Sequence, residues 1–342
     1  MRRSEKLWDT TAMSYETLQE SKPESSELVK AGNRFANGAN VAVIVPCYNE
    51  ELTIESVVQD FRQVLPEAKI YVFDNNSSDR TSEIASNCGA IVRHERRQGK
   101  GFAIRRAFAD VDAEIILMVD GDATYDASAA TELIQRCVDG PFDYVNGARI
   151  HESTEAYRPG HEFGNKMLTG VVAWIFGRQV DDMLSGYKAL SRRFIKSFPA
   201  SSTGFEIETE LMVHALELGM PISEIQTKYK ERPPNSVSKL NTFRDGFRIL
   251  LTIVQLVRRE RPFFFFSMIG LCLFVLSVAL SVPVILEYFE TGLVRRLPTF
   301  ILSGFIGLLA VFASFTGLIL DLIHRGRHEV RKLAYLSFKA PS

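Results

Sequence analysis

The chain has 342 residues, of which 46% are hydrophobic, 11% aromatic and 24% charged, with 40 Lys/Arg against 41 Asp/Glu. That length holds one large domain or two smaller ones with ample core, and the ordinary charged fraction excludes wholesale disorder. A net charge near zero speaks against nucleic acid as the main partner, and four scattered cysteines without a CxxC pair, Cys47, Cys88, Cys137 and Cys272, predict neither a disulfide scaffold nor a zinc site but a reducing compartment.

Residues 1–38 are mostly polar and carry no long apolar run, which predicts a cytosolic, partly disordered segment without a signal peptide. From Val41 the pattern changes. Val41–Val45 is a continuous apolar run ended by Pro46, and similar runs recur at Lys69–Phe73, Ala90–Val92, Glu114–Val119 and Tyr144–Val145. Helical-period stretches separate them: Leu52–Val64, Thr81–Ser86, Phe102–Ala109 and Ala129–Val138. Buried strands alternating with helices predict an α/β domain, a mostly parallel sheet with helices on both faces.

Beyond about residue 150 the alternation weakens. His161–Phe176 and Glu206–Leu218 read as helices, and Pro221–Tyr229 as a strand leading into a loop. Thr242–Val257 is apolar at helical spacing, with Arg244, Arg248, Arg258 and Arg259 suited to a helix along a membrane surface. Phe263–Leu286 and Leu297–Leu320 are each free of charge. At ~1.5 Å per residue each reaches roughly 36 Å, enough to cross a hydrocarbon core of about 30 Å with some tilt. Basic residues flank the pair on its outer sides (Arg258, Arg259 and Arg261; Arg325, Arg327, Arg331 and Lys332), while the connector mixes Arg295 and Arg296 with Glu287 and Glu290. The positive-inside bias therefore places both chain ends and the α/β domain in the cytosol of a multi-pass protein of the cell (cytoplasmic) membrane. The expected order is a polar segment over 1–38, the α/β domain over 39–240, a juxtamembrane helix over 241–261, two spans at 263–286 and 297–320, and a basic tail over 321–342.

Ligands of open α/β sheets bind beyond the carboxyl ends of the strands, and three such ends are polar here. They are Pro46-Cys47-Tyr48-Asn49-Glu50, Asp74-Asn75-Asn76-Ser77-Ser78-Asp79 and Asp120-Gly121-Asp122. Each alone reads equally as a turn or a cap, as with Asp79 before the helix at Thr81. Two carboxylates one residue apart at a glycine bend can face one divalent cation, and hard oxygen donors favour Mg²⁺ or Mn²⁺ completed by substrate phosphates. Gly99-Lys100-Gly101 matches neither a dinucleotide fingerprint nor a P-loop. The basic segment Glu231–Lys239, ahead of the surface helix, has the equipment to hold a phosphate monoester.

Together these segments, with Arg97-Gln98-Gly99-Lys100-Gly101, Asp182-Met183-Leu184-Ser185-Gly186-Tyr187 and Arg232 with Ser238-Lys239-Leu240, resemble the family 2 glycosyltransferases of GT-A fold. The resemblance is to the branch of dolichyl-phosphate mannose synthase and bacterial polyprenyl-phosphate sugar synthases, and it covers about residues 40–335. It implies a GT-A, Rossmann-like catalytic domain with a C-terminal transmembrane hairpin. It also implies that Pro46, Tyr48, Glu50, Asp74 and Asn76 hold a nucleotide sugar together with Lys100, and that Asp120 and Asp122 place the metal and diphosphate. Arg149, Arg232, Ser238 and Lys239 would hold the acceptor phosphate, Asp182 would lie near the reacting centre, and Ser185 and Glu206 are further candidates. Asn235 stands where relatives generally have glycine, and Cys47 where Thr, Val or Ala is usual.

The implied reaction moves a sugar from a nucleotide sugar, UDP favoured over GDP, to a polyprenyl phosphate such as undecaprenyl phosphate, with inversion. The phosphate nucleophile is largely ionised at pH 7, its second pKa being about 6, so no strong base is needed. A processive polysaccharide synthase is disfavoured because neither Trp8 nor Trp174 lies in a Gln-x-x-Arg-Trp motif. A transferase to diacylglycerol or ceramide, and a membrane nucleotide-sugar-binding protein without catalysis, are the alternatives. The sugar, the lipid length and whether the chain forms a homo-oligomer stay open.

Overall fold

The computed structural model describes residues 39–151, 159–177, 181–200, 202–204, 206–230, 251 and 253–340. All belong to one compact unit, Phe35–Ser342. The segment 1–38 and the acceptor candidates Arg232, Ser238 and Lys239 lie outside the described residues, as does most of the expected juxtamembrane helix.

The chain runs β1 (Val41–Cys47), α1 (Ile54–Val64), β2 (Lys69–Asp74), α2 (Thr81–Asn87), β3 (Ile91–His94), α3 (Lys100–Asp110), β4 (Ile115–Met118), α4 (Ala130–Val138), β5 (Tyr144–His151), α5 (Pro159–Phe176), β6 (Lys188–Ser191), α6 (Arg192–Ser197), α7 (Ile207–Glu217) and β7 (Ile222–Tyr229). After helical residues 253–260 (α8) come α9 (Pro262–Thr291) and α10 (Leu297–Leu336).

The seven strands form one sheet in the order β3-β2-β1-β4-β6-β5-β7. Every neighbouring pair is parallel except those made by β6, which runs antiparallel to both β4 and β5. Strand periodicity divides the core into two layers. Val41, Val43 and Val45 pack on one face with Val57, Val58 and Phe61 of α1 and Leu133 and Ile134 of α4. Ala42 and Ile44 pack on the other with Ile104 of α3, Phe194 of α6 and Leu211 of α7. A strand covered on both sides has to be apolar at every position, hence the unbroken Val-Ala-Val-Ile-Val run. Each such side chain contributes about 1.5–3 kcal/mol of burial.

Two features depart from the expected pattern. The fifth strand does not stop at Val145 but continues to His151, paired with β7 from Tyr144↔Ile222 to His151↔Tyr229; Arg149 therefore lies within β5. The strand β6 carries a lysine and has only four residues, so its composition hid it. Lys188 is nonetheless fully buried, its Nζ donating to Asn146 Oδ1 at 2.8 Å beneath the Tyr144 ring. Burial pulls its pKa down to about 8, against the opposing pull of Glu208 and Asp182.

The last two helices are long and apolar enough to cross a membrane, and only 11% of each apolar window is buried within the protein. They meet along small residues, where Ser277 Oγ donates to the Ser303 carbonyl at 2.7 Å and Ser281 Oγ to Ser303 Oγ at 2.8 Å, the pairing that lets backbones approach in an apolar solvent. The basic residues after 320 are no separate tail: they continue α10 to Leu336, and Tyr335 packs against the same core layer as α7.

The buried Lys188 generates a test. Its folded-state pKa lies below its unfolded value, so its charging penalty is present below pH 8 and is relieved as pH rises towards 10.5. Lys188→Met should abolish a rise in stability of up to about 3 kcal/mol across that window, read as melting temperature against pH for both proteins.

Candidate active site

Three strand ends and two helix starts converge at the carboxyl edge of β1, β2 and β4. Asn49 and Asn76 both take positive φ, 52° and 63°, which Asn tolerates better than most residues. Asn49 knits the first two loops: its N–H donates to Ser77 Oγ at 2.9 Å, and its Oδ1 accepts from Ser78 N at 2.8 Å. The Glu50 N–H donates to Thr81 Oγ1 at 2.9 Å, and Thr53 Oγ1 donates to the Gly121 carbonyl at 2.7 Å, tying the first loop to the Asp-Gly-Asp turn. Asp74 is buried. Burial alone would raise its pKa, but hydrogen bonds from Ser77, Ser82 and His94 outweigh that and hold it below the usual value. Pro46, Tyr48 and Glu50 are half-buried around this cleft and Asn76 is exposed at its rim.

Asn75, which sequence reasoning passed over, joins the second loop to the glycine-lysine-glycine turn. Its Nδ2 donates to the Arg97 carbonyl at 2.7 Å and its Oδ1 accepts from Gly99 N at 2.6 Å. That turn opens α3. A Cβ on Gly99 would stand 2.2 Å from the Thr203 carbonyl oxygen, and one on Gly101 2.2 Å from that of Ser202. The two glycines are thus required for close backbone approach to the loop before α7.

Between them Lys100 points into the site. Its Nζ lies 2.5 Å from Asp120 Oδ1 and 2.5 Å from Glu208 Oε1. Burial by itself would discharge the amine, yet the two carboxylates more than reverse this and keep it protonated. Glu208 is a partner that the sequence reading, which singled out Glu206, did not name. Every residue from Ile207 to Leu216 in α7 is buried, so an acid among them requires a partner. Glu206 instead stands at the N-cap position of α7 with its carboxylate folded over Gly204.

The second carboxylate of the turn, Asp122, is buried and accepts from Thr124 Oγ1 at 2.6 Å. Gly186 presses against the first: a Cβ there would meet Asp120 Oδ2 at 2.2 Å, and its N–H donates to Tyr125 Oη at 2.7 Å. In the same segment Ser185 is turned inward, donating to the Gly147 carbonyl at 2.6 Å.

Asp182 and Arg149 form a two-pronged pair, with Nε to Oδ2 at 2.6 Å and Nη2 to Oδ1 at 2.9 Å. The carboxylate also accepts from Leu184 N at 3.1 Å. Burial would raise the Asp182 pKa, but Arg149 outweighs it and holds the group below the ordinary range. The guanidinium lies over the Tyr229 ring, 5.4 Å from its centroid.

The donor set at the turn suits a hard divalent cation: two acidic side chains, with Asp120 Oδ1 already drawing a cationic ammonium to it.

Known proteins agree with this reading of the fold. The sequence model for glycosyl transferase family 2 matches residues 42–196. Glycosyltransferase AglJ of Haloferax volcanii is 34% identical over 254 residues, covering 72% of this chain and 82% of that protein. A dolichyl-phosphate hexose transferase from the same organism is 30% identical over 223 residues, covering 65% of this chain and 96% of its own length. Glucosyl-3-phosphoglycerate synthase from Mycobacterium tuberculosis, solved with Mn²⁺, UDP and glucosyl-3-phosphoglycerate, matches with a TM-score of 0.55 at 23% identity, over 65% of this chain and 80% of that one. That likeness bears on the fold alone. With its strand-end carboxylates on a sheet of this order, the chain belongs to glycosyl transferase family 2 and has the GT-A fold.

Proposed function

We propose that this protein transfers a sugar from a nucleotide sugar, a UDP-sugar before a GDP-sugar, to a polyprenyl phosphate at the cytosolic face of the cell membrane. The observation that carries the reading is the continuity of one chain from a buried Asp120–Lys100–Glu208 cluster to two helices of membrane-spanning length. The relative named as a dolichyl-phosphate hexose transferase supports a lipid-phosphate acceptor.

Pro46, Tyr48, Glu50, Asp74 and Asn76 line the nucleotide side. Asp120 and Asp122 are the residues that would hold Mg²⁺ or Mn²⁺, which when bound supplies positive charge opposite a diphosphate leaving group. Lys100 adds a fixed positive charge to the same position, and its burial lets that charge act through a low-dielectric medium. It needs no proton transfer to do so.

On the acceptor side, Asp182 acts through Arg149. A carboxylate held below its ordinary pKa by a guanidinium is a poor base, and an ionised phosphate oxygen does not need one. Asp182 instead fixes the plane of Arg149, using Nε and Nη2 and leaving Nη1 as the donor that the pair does not use. Arg232, Ser238 and Lys239 are assigned to the same phosphate from the sequence. Attack by that oxygen on the anomeric carbon, with departure of the nucleoside diphosphate from the opposite side, inverts the centre. Orientation supplies much of the rate.

Purified protein incubated with undecaprenyl phosphate, Mg²⁺ or Mn²⁺ and a panel of UDP- and GDP-sugars should yield a lipid-phosphate sugar by mass spectrometry. Asp122→Ala should remove that product while leaving the protein folded. Product on diacylglycerol or ceramide, and none on the polyprenyl phosphate, would overturn the acceptor assignment. Arg149→Lys, which cannot reproduce the two-pronged geometry, should lower kcat/KM for the lipid roughly 10- to 100-fold with the donor KM unchanged. Asp182→Asn should follow Arg149→Lys rather than flatten an alkaline or acid limb of the pH–rate profile.

A further inference from the structure

The inner end of α10 carries His324, His328, Arg331 and Tyr335 at successive spacings of four, three and four residues, one face of a helix. That face lies on the catalytic domain. Tyr335 Oη donates to Asp143 Oδ2 at 2.7 Å, His328 Nε2 is 2.9 Å from the Glu217 carbonyl oxygen, and Arg331 pairs with Glu217 Oε2.

One turn nearer the apolar span, His324 meets two acids from two other helices. Its Nε2 lies 4.0 Å from Glu217 Oε1, at the end of α7, and 4.0 Å from Glu260 Oε2, at the end of α8. The side chains of Glu217 and Glu260 are 4% and 2% exposed. Oε1 of each is buried without a hydrogen-bond partner; Arg259 Nε approaches that of Glu260 no closer than 3.5 Å. The three side chains bring one ligand atom each to within 4.8 Å of one another. Of these, Glu217 Oε1 faces the imidazole and Glu260 Oε1 faces Arg259; two buried carboxylates each with an unbonded oxygen beside one imidazole are costly unless something positive sits among them.

We propose that Glu217, Glu260 and His324 bind a divalent transition-metal ion of the Zn²⁺ class, a structural site separate from Asp120 and Asp122 that fastens α10 to the catalytic domain. One imidazole nitrogen with two carboxylate oxygens is a zinc donor set, whereas Mg²⁺ and Ca²⁺ take oxygen alone. Metal–ligand bonds of about 2.0–2.2 Å place tetrahedral ligands roughly 3.5 Å apart, so closing the 4.0 Å gaps takes small side-chain movements. The arginines sit where outer-shell partners belong: Arg331 holds the far oxygen of Glu217 and Arg259 faces the far oxygen of Glu260, leaving the other oxygen of each towards His324.

The proposal stands apart from the transferase reading, since neither set of residues belongs to the other. Its test uses the full-length protein in detergent, stripped with chelator and carried in an Asp122→Ala background so that the catalytic turn does not contribute. Titration with Zn²⁺ alone, followed by calorimetry, metal analysis after desalting, and thermal melting, should show one Zn²⁺ per chain and a zinc-dependent rise in melting temperature. His324→Gln and Glu260→Gln, tested separately so that a folding defect in one does not decide the outcome, should each lose both the bound zinc and the rise. Equal zinc content and an equal rise in both variants would overturn the site. So would a parent protein that binds no zinc.

Discussion

A lysine buried in a protein keeps its charge only where carboxylates surround it, and Lys100 obtains that surrounding by drawing three distant segments together. Asp120 comes from the end of β4, Glu208 from the first turn of α7, and the lysine itself from the start of α3. Removing any one would leave uncompensated charge in the interior, so the cluster fixes the mutual position of the donor loop and of the half of the domain that carries Asp182. The glycines on either side of Lys100 serve the same end. They let the α3 turn close onto the carbonyls of residues 202 and 203, which brings α7 near enough for Glu208 to reach.

A second layer of buried polar contacts extends from that cluster to the sheet's far edge. Lys188 donates to Asn146, whose amide donates to the Asp182 carbonyl at 2.8 Å and to Glu224 Oε1 at 2.7 Å. Glu224 in turn accepts from Asp181 N at 2.9 Å. The reversed strand β6 makes this arrangement possible, because it alone sets Lys188 opposite both Met118 of β4 and Asn146 of β5. Apolar packing would satisfy that stretch of sheet at less cost; the polar network instead constrains where the 181–187 segment lies.

Much of this was legible in the residues. Continuous apolar runs marked β1, β2 and β4 because central parallel strands are buried on both faces, and the polar residues directly after them marked the site. Arg149 was harder to place, since Asn146-Gly147-Ala148-Arg149 has the composition of a loop and only its pairing with β7 makes it strand. Lys188 ran against the rule that buried positions are apolar, and no local pattern reveals a lysine whose partners are 42 residues away. Glu208 could have been found by noting that the apolar residues of α7, Ile207, Leu211, Met212, Val213, Ala215 and Leu216, are spread around most of its circumference, which leaves an acid among them in need of a cation. The stripe His324-His328-Arg331-Tyr335 was present in the sequence as a period, but its basic content read as a solvated end.

That stripe belongs to a helix that also carries the apolar stretch Leu297–Leu320 without a break. The two halves therefore share a single phase. Inserting one residue between Leu320 and His324 would turn the docked face by about 100° relative to the apolar half, whereas a seven-residue insertion would return it to within roughly 20°. Depth along the helix axis and rotation about it are locked to each other, so the cleft cannot be raised by a residue or two without also being swung aside. The helix acts as a threaded shaft, on which height and heading are one coordinate.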